Sequence, residues 1–295
     1  MNERGGVNDW PIFVNGQWRR GDEPVLSALD QGFTLGLAVF DSLVFEAGTC
    51  LFLEAHMRRL ARGARGIGLA WPPPFDPGEV LPKLAARIGE SPLVLRTTYS
   101  RGAPGGAPSF VVSARPVTPP PAEGIALYVP AERIVAVSAL DGLKSTNRIR
   151  NVLAREEAAR EGAWEALLVD AGGRPIEGTI ANVWARLGSH VWTPPLDVGC
   201  LGGITREQVL GSTRGAPIAE FSVGERAFTL GELGRADEVF LTNSSGRAFG
   251  VHRFFGPGIA PRELPGARGP AVAAVRARLE AIERAYRERT RAQNA

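Results

Sequence analysis

The sequence predicts an α/β (α+β) chain of two unequal domains, a small N-terminal αβ domain and a larger C-terminal αβ domain. Three observations carry this. Short β-branched runs alternate with stretches of helical apolar spacing along the chain. A Pro-rich break, Pro116-Val117-Thr118-Pro119-Pro120-Pro121-Ala122-Glu123-Gly124, interrupts them once. Hydrophobic residues fill 44% of the 295 positions, enough for substantial cores and too many for global disorder. The break divides the chain into a flexible N-terminus (1–9), a small domain (10–117), a linker (118–124) and a larger domain (125–295).

In chain order, Ile12-Phe13-Val14 and Gln17-Trp18 flank Asn15-Gly16, the strongest short-range hairpin signal. Val39 to Leu53 reads as strand with a turn at Gly48, and Glu54 to Leu60 has the spacing of a helix. Leu93 to Tyr99 and Phe110 to Ala114 read as strands. Beyond the break, Ile125 to Val129 is a strand, and Ile149, Val152 and Leu153 open a helix that stops at Gly162. Ala166 to Asp170 and Pro175-Ile176-Glu177, joined through Gly172-Gly173, form a predicted hairpin. Asn182 to Leu187 and Glu238 to Leu241 are further strands. From Pro270 onward, Val272, Val275, Leu279, Ile282 and Tyr286 recur in steps of three and four, the pattern of an amphipathic terminal helix with a fraying polar end.

Composition excludes several functions. No apolar run approaches the roughly 18 residues of a membrane span, and the N-terminus lacks the apolar core of a signal peptide, so a cytoplasmic location is expected. Cys50 and Cys200 give neither a disulfide framework nor zinc spacing, and His56, His190 and His252 are scattered, so no metal site is expected. The net charge of +3 is spread through mixed-sign segments such as Arg155-Glu156-Glu157, which argues against nucleic acid.

Nearly all the positive charge is arginine: 32 Arg stand beside two lysines, Lys83 and Lys144. Chemistry that needs a primary amine therefore has two places to occur. Lys83 lies in a helical stretch and reads as solvated. Lys144 lies in Asp141-Gly142-Leu143-Lys144-Ser145-Thr146-Asn147, ahead of a helix that Ser, Thr or Asn could cap. A lysine so placed, desolvated or beside another cation, can act as a Schiff-base nucleophile. Leu201-Gly202-Gly203-Ile204-Thr205-Arg206-Glu207-Gln208 leads two glycines into a helix with Thr205 and Gln208 as a possible capping box. It is either an ordinary capped helix or a phosphate site on free backbone amides. Thr242-Asn243-Ser244-Ser245-Gly246 offers hydroxyls at a strand end. Glu177, in Ile176-Glu177-Gly178-Thr179, is a surface acid or the partner of a protonated cofactor ring.

In this order, Lys144…Asn147, Glu177-Gly178-Thr179…Asn182, Leu201-Gly202-Gly203-Ile204-Thr205-Arg206 and Thr242-Asn243-Ser244 resemble the class IV aminotransferases, the fold type IV pyridoxal-phosphate enzymes. Asp30-Gln31-Gly32-Phe33 and Phe52-Leu53-Glu54-Ala55-His56-Met57-Arg58-Arg59-Leu60 extend the resemblance over roughly residues 10 to 255. The resemblance implies a pyridoxal 5′-phosphate cofactor, a barrel-like C-terminal domain, and a homodimer whose partner completes the pocket. It makes Lys144 the Schiff-base lysine and proton carrier, and Glu177 the partner of the pyridine nitrogen. The phosphate falls to Arg59, the amides of the Gly203, Ile204 and Thr205 turn, and Ser244. Arg96, Arg101 and Arg148 are candidates for the substrate carboxylate.

The chain also departs from the family. The usual Arg-Gly-Asp-Gly-x-Phe-Glu stretch is Leu35-Gly36-Leu37-Ala38-Val39-Phe40-Asp41. Branched-chain enzymes carry tyrosine where this chain has Arg148, and the Arg-x-His trap of D-amino acid transaminases is absent from Arg101-Gly102-Ala103-Pro104-Gly105-Gly106. Ser100-Arg101-Gly102 and Asn147-Arg148 are similar to aminodeoxychorismate lyase. The expected activity is amino exchange between an amino acid or amine and a 2-keto acid. Pyruvate elimination from aminodeoxychorismate is the alternative, and a non-catalytic paralogue a third.

Overall fold

The computed structural model describes residues 9–135, 138, 140–213 and 216–293. Residues 1–8 of the expected flexible N-terminus lie outside them. The chain groups into two compact units. The first takes in the described residues up to Thr118, then Leu143–Asn147 and the chain from Tyr286; the second holds Pro119–Gly142 and Arg148–Ala285. Two short segments of the expected 125–295 domain therefore group with the first unit.

The first unit is built on an antiparallel sheet. Its elements are β1 (Pro11–Val14), β2 (Gln17–Arg20), α1 (Gln31–Thr34), β3 (Ala38–Glu46), β4 (Thr49–Cys50), α2 (Leu53–Gly66), α3 (Pro77–Ile88), β5 (Leu93–Ser100) and β6 (Ser109–Pro116), with strand order β2-β1-β6-β5-β3-β4. The predicted hairpin closes at Asn15 and Gly16, both at positive φ, as a two-residue turn with primed geometry requires. Strand alternation sorts the sheet's side chains by face. Val39, Leu43, Leu95, Tyr99, Phe110 and Val112 join Leu60, Ala64, Leu81 and Leu84 of α2 and α3 in one core, leaving Phe40, Ser42, Arg96 and Thr98 on the opposite face. Cys50 is buried, and burial pushes its thiol up to about 12. Lys83 is exposed and pairs with Glu79 one helical turn away.

The second unit comprises β7 (Ile125–Tyr128), α4 (Ile149–Arg160), β8 (Glu165–Val169), β9 (Pro175–Gly178), β10 (Asn182–Leu187), β11 (His190–Thr193), α5 (Ile204–Gly211), β12 (Ser222–Glu225), α6 (Leu230–Leu233), β13 (Glu238–Asn243), β14 (Arg247–Gly256), β15 (Ile259–Glu263) and α7 (Pro270–Gln293). Strand order is β12-β11-β10-β13-β14-β7-β8-β9, with β15 on β14. Gly178 donates its N–H to Ala181 at 2.7 Å, so β9 bends directly into β10 and the path β10-β13-β14-β7-β8-β9 curls back on its own start. This is the expected barrel-like sheet. One side packs Val183, Leu241, Phe249 and Val251 against Phe228 and Leu233. The other packs Trp184, stacked on Phe240 at 5.8 Å, against Val272, Val275 and Leu279 of α7.

Three local expectations change. α5 begins at Ile204 with Gly203 as its cap and no side-chain cap bond, so Thr205 lies inside the helix and the expected capping box does not form. A capping box forms instead at Thr229 and Glu232 of α6. The polar tail of α7 is held where fraying is expected: Tyr286 donates to Glu54 at 2.8 Å, and Arg287 pairs with Glu46.

The start of α7 rests on one buried acid. Glu238, 2% exposed, accepts from the N–H groups of Ala271 (3.0 and 3.1 Å) and Val272 (3.2 Å) and pairs with Arg186. A carboxylate there satisfies helix-end donors and opposes the positive end of the dipole. Glu238→Ala leaves the amides of Ala271 and Val272 without their acceptor while Arg186 keeps Asp237 and Gly188 C=O, and the expected loss is about 2 kcal/mol of unfolding free energy. Urea denaturation measures it; an unchanged midpoint refutes the capping role.

Candidate active site

In the first unit, the segment carrying Lys144 is fixed by main-chain bonds. Phe40 N–H donates to Lys144 C=O at 2.9 Å, Thr146 N–H to Ala38 C=O at 2.9 Å, and Val39 bridges Ser145 on the edge of β3 away from β5. Thr146 and Asn147, expected as helix caps, instead turn their side chains to the carbonyls of Gly36 and Ala38. α4 starts with Arg148 as its cap residue and no side-chain cap bond. These contacts set the Lys144 side chain against β3. Its Nζ lies 4.9 Å from the centroid of the Phe40 ring, and the Arg96 guanidinium carbon lies 3.6 Å from the same centroid. Arg96 Nε donates to Thr98 Oγ1 at 3.2 Å.

The next residue of β3 points the other way. Asp41, 1% exposed at its side chain, accepts from Arg59 Nε (2.8 Å) and Nη2 (2.7 Å), and its Oδ1 lies 2.8 Å from His56 Nδ1. Burial opposes ionisation of Asp41, but the charges and hydrogen bonds of Arg59 and His56 outweigh it and hold the carboxyl well below the usual range. Burial lowers His56, Asp41 works against that shift, and the charges of Arg59 and Lys144 add to it. Sequence reading identified Arg59 but missed Asp41 and His56. The available signal was the i, i+3 spacing of His56 and Arg59, which places both on the α2 face toward β3. Arg101 lies apart from this group and donates to the carbonyl of Ile67 at the end of α2.

In the second unit, Glu177 is 9% exposed at the end of β9. Its Oε2 accepts from Leu201 N–H at 2.9 Å and from Asn182 Nδ2 at 3.4 Å, and Asn182 also donates to Leu201 C=O at 2.8 Å. Asn182 thereby ties Glu177 to the glycine turn. A Cβ on Gly203 would sit 2.0 Å from Asn182 Oδ1, so a side chain there would displace the amide that holds Glu177. The first-turn amides of α5 have no side-chain cap, which leaves the donor set a phosphate uses. Ser244 is half-buried in the turn between β13 and β14, where Asn243 Oδ1 accepts from Gly246 N–H at 2.6 Å. Thr242 is engaged elsewhere, accepting from Trp184 Nε1 at 2.9 Å. Arg148 donates to Thr179 C=O; burial lowers its pKa, while the nearby charges of Glu177 and Glu165 raise it. Cys200, beside this turn, is 2% exposed, and its thiol is pushed up to about 12 by burial first.

A buried carboxylate, a tight glycine turn packed on Asn182 and uncapped helix amides fit a phosphorylated pyridine ring in the second unit. No group of three or more His, Cys, Asp or Glu residues among the described residues could hold a metal ion, and no described helix is long and apolar enough to cross a membrane.

Known proteins resemble this chain along most of its length. A probable branched-chain-amino-acid aminotransferase of Thermotoga maritima is 32% identical over 251 residues, covering 83% of this chain and 89% of that protein. Aminodeoxychorismate lyase of Bacillus subtilis is 28% identical over 252 residues, covering 79% and 83%. A hypothetical aminotransferase from Mycobacterium tuberculosis, solved in its PLP-bound form, superposes with a TM-score of 0.79 at 25% identity, covering 92% of this chain and 98% of that one. Residues 38–254 match the amino-transferase class IV family, and the chain belongs to that family of pyridoxal-phosphate enzymes.

Proposed function

We propose that this chain is an aminotransferase that exchanges an amino group between an amino acid or amine and a 2-keto acid. The observation that carries it is Lys144, an amine fixed by main-chain pairing to β3 with Arg96 on the same aromatic ring. Pyridoxal phosphate, when bound, supplies an aldehyde carbon for an amine and a ring that takes up the electrons of a substrate Cα–H bond. Lys144 Nζ is the amine that holds this aldehyde between turnovers, and it moves the proton between the substrate Cα and the cofactor C4′. Glu177 keeps the ring nitrogen protonated. The amides of Gly203, Ile204 and Thr205, with Ser244 and Arg59, hold the phosphate, Arg59 being oriented by Asp41. Arg96, on the same ring as Lys144 and with its Nε on Thr98, orients a substrate carboxylate near Lys144; Arg101 and Arg148 donate to backbone carbonyls. Bidentate capture of a carboxylate suits the planar guanidinium.

The homodimer belongs to the same reading. α4 exposes Ile149 (75%), Val152 (49%) and Leu153 (54%) at i, i+3 and i+4, an apolar stripe that a second copy would cover. A second activity is favoured by a specific observation: the 28% match to aminodeoxychorismate lyase joins the Ser100-Arg101-Gly102 and Asn147-Arg148 similarities. In that reading the same lysine serves the elimination of pyruvate.

The purified protein with pyridoxal phosphate is expected to show a visible band that borohydride bleaches, and Lys144→Ala should lose it. A variant that keeps a borohydride-sensitive band overturns the assignment, and a wild-type protein that stays colourless with added cofactor supports a non-catalytic paralogue. Alanine with 2-oxoglutarate, run beside aminodeoxychorismate, separates the activities: keto-acid exchange supports the transaminase, and pyruvate with 4-aminobenzoate supports the lyase. Arg96→Gln should lower kcat/KM roughly 10- to 100-fold, mostly through KM, as the loss of a charged hydrogen bond of about 1.5–3 kcal/mol predicts; unchanged kinetics would remove Arg96 from the site. Light scattering should give twice the chain mass, and Val152→Glu should halve it.

A further inference from the structure

A buried acid that no step above uses sits directly behind Glu177. Glu165, the first residue of β8, is 0% exposed. Its Oε1 accepts from Ala166 N–H (2.9 Å), Thr179 N–H (3.1 Å) and the Thr179 hydroxyl. Its Oε2 is buried with no hydrogen-bond partner. Burial raises its pKa, with Thr179 and Arg155 acting against the rise. A fully buried acid with one oxygen unmatched is a costly way to fill space, so its place in the fold needs a reason other than packing.

The reason lies in what it grips. Thr179, 1% exposed, is two residues beyond Glu177 and is held on both sides. Its N–H and hydroxyl go to Glu165, and its carbonyl accepts from Arg148 Nη2 and Asn151 Nδ2 (3.1 Å) on the first turn of α4. The residue between, Gly178, is closely surrounded: a Cβ there would meet Leu241 Cδ2 at 2.8 Å, Ala181 O at 3.2 Å and Glu165 Cγ at 3.3 Å. Glu177 therefore stands between two fixed points, its carboxylate on Leu201 N–H and its backbone leading through Gly178 into the Thr179 junction.

We propose that Thr179 and Glu165 are positioning residues that set the aim of Glu177 at the cofactor ring, with α4 clamping the junction from its other side. The proposal rests on Glu177 being the ring-nitrogen partner, so the test includes that residue. Thr179→Val, Thr179→Ser, Asn151→Ala and Glu177→Gln are titrated with pyridoxal phosphate. The readouts are cofactor affinity, the pH midpoint of the visible band and the thermal midpoint. Thr179→Val should weaken cofactor binding about tenfold, the scale of one lost hydrogen bond. It should also move the pH midpoint in the same direction as Glu177→Gln, with Thr179→Ser restoring both. Asn151→Ala, which leaves Thr179 in place, should weaken binding about threefold, and it carries the test if Thr179→Val fails to fold. If Glu177→Gln shifts affinity and midpoint while the Thr179 and Asn151 variants change thermal stability alone, the junction is only structural and the proposal is wrong. If Glu177→Gln changes neither readout, the ring-nitrogen reading fails first and the proposal falls with it.

Discussion

The pleat of β3 is the constraint on which the first unit's chemistry depends. Successive side chains of a strand leave on opposite faces, so one residue step separates two environments. Phe40 turns to the face where Lys144 and Arg96 share its ring. Asp41 turns into the layer under α2, where it holds Arg59 and His56. A one-residue slip of β3 against β5 would exchange the two, presenting an acid to the amine and an aromatic ring to a buried guanidinium. Register is protected by long pairing: eight successive residues of β3, Ala38 to Phe45, face β5, and residues 144–146 bond the other edge. Main-chain bonds fix where the Lys144 backbone sits whatever conformation its side chain takes.

Each unit also carries buried charge, and the three cases differ in how the cost is met. Asp41 is matched by a bidentate arginine and an imidazole, so burial strengthens the pairing that holds it ionised. Glu238 is matched by helix amides and an arginine, and its role is architectural. Glu165 is matched on one oxygen only, with burial raising its pKa. Asp41 and Glu238, each paired on both oxygens, hold a charged group or a helix end. The half-paired acid, Glu165, holds only neutral donors, the N–H of Ala166 and the N–H and hydroxyl of Thr179.

How much of this was legible in the sequence depends on the range of the interaction. The Asn15-Gly16 hairpin, the Gly172-Gly173 turn and the long strands β3, β5 and β6 are written in local pattern, and the structure has them. The terminal helix was legible, but the contacts of Tyr286 and Arg287 with Glu54 and Glu46 were not, since they span more than 230 positions. Thr205-x-x-Gln208 resembles a capping box as closely as Thr229-x-x-Glu232 does. The first fails because the chain is already helical at Ile204, so the threonine lies past the cap. The same limit hid Asp41: nothing near it in sequence shows that α2 would lay His56 and Arg59 over it. Ordered motifs marked Lys144 and Glu177 as candidates, whereas the partners that orient them are long-range.

The lysine count gains a physical meaning from this arrangement. Arginine serves at most basic positions because a surface charge asks only for a cation, and Lys83, exposed beside Glu79, is a site where arginine would serve equally. Lys144 and Arg96 sit on one ring, yet they are not interchangeable. A primary amine can lose its proton and become a nucleophile; a guanidinium stays charged throughout the working pH range and cannot. Exchanging the two would leave net charge and much of the cation–ring attraction in place while changing the chemistry open to each position. The arginine would bring no reactive nitrogen to the Lys144 position, and the lysine would offer a carboxylate only a point charge at position 96. One ring thus carries two cations of different chemistry, an amine that can give up its proton and a guanidinium that cannot.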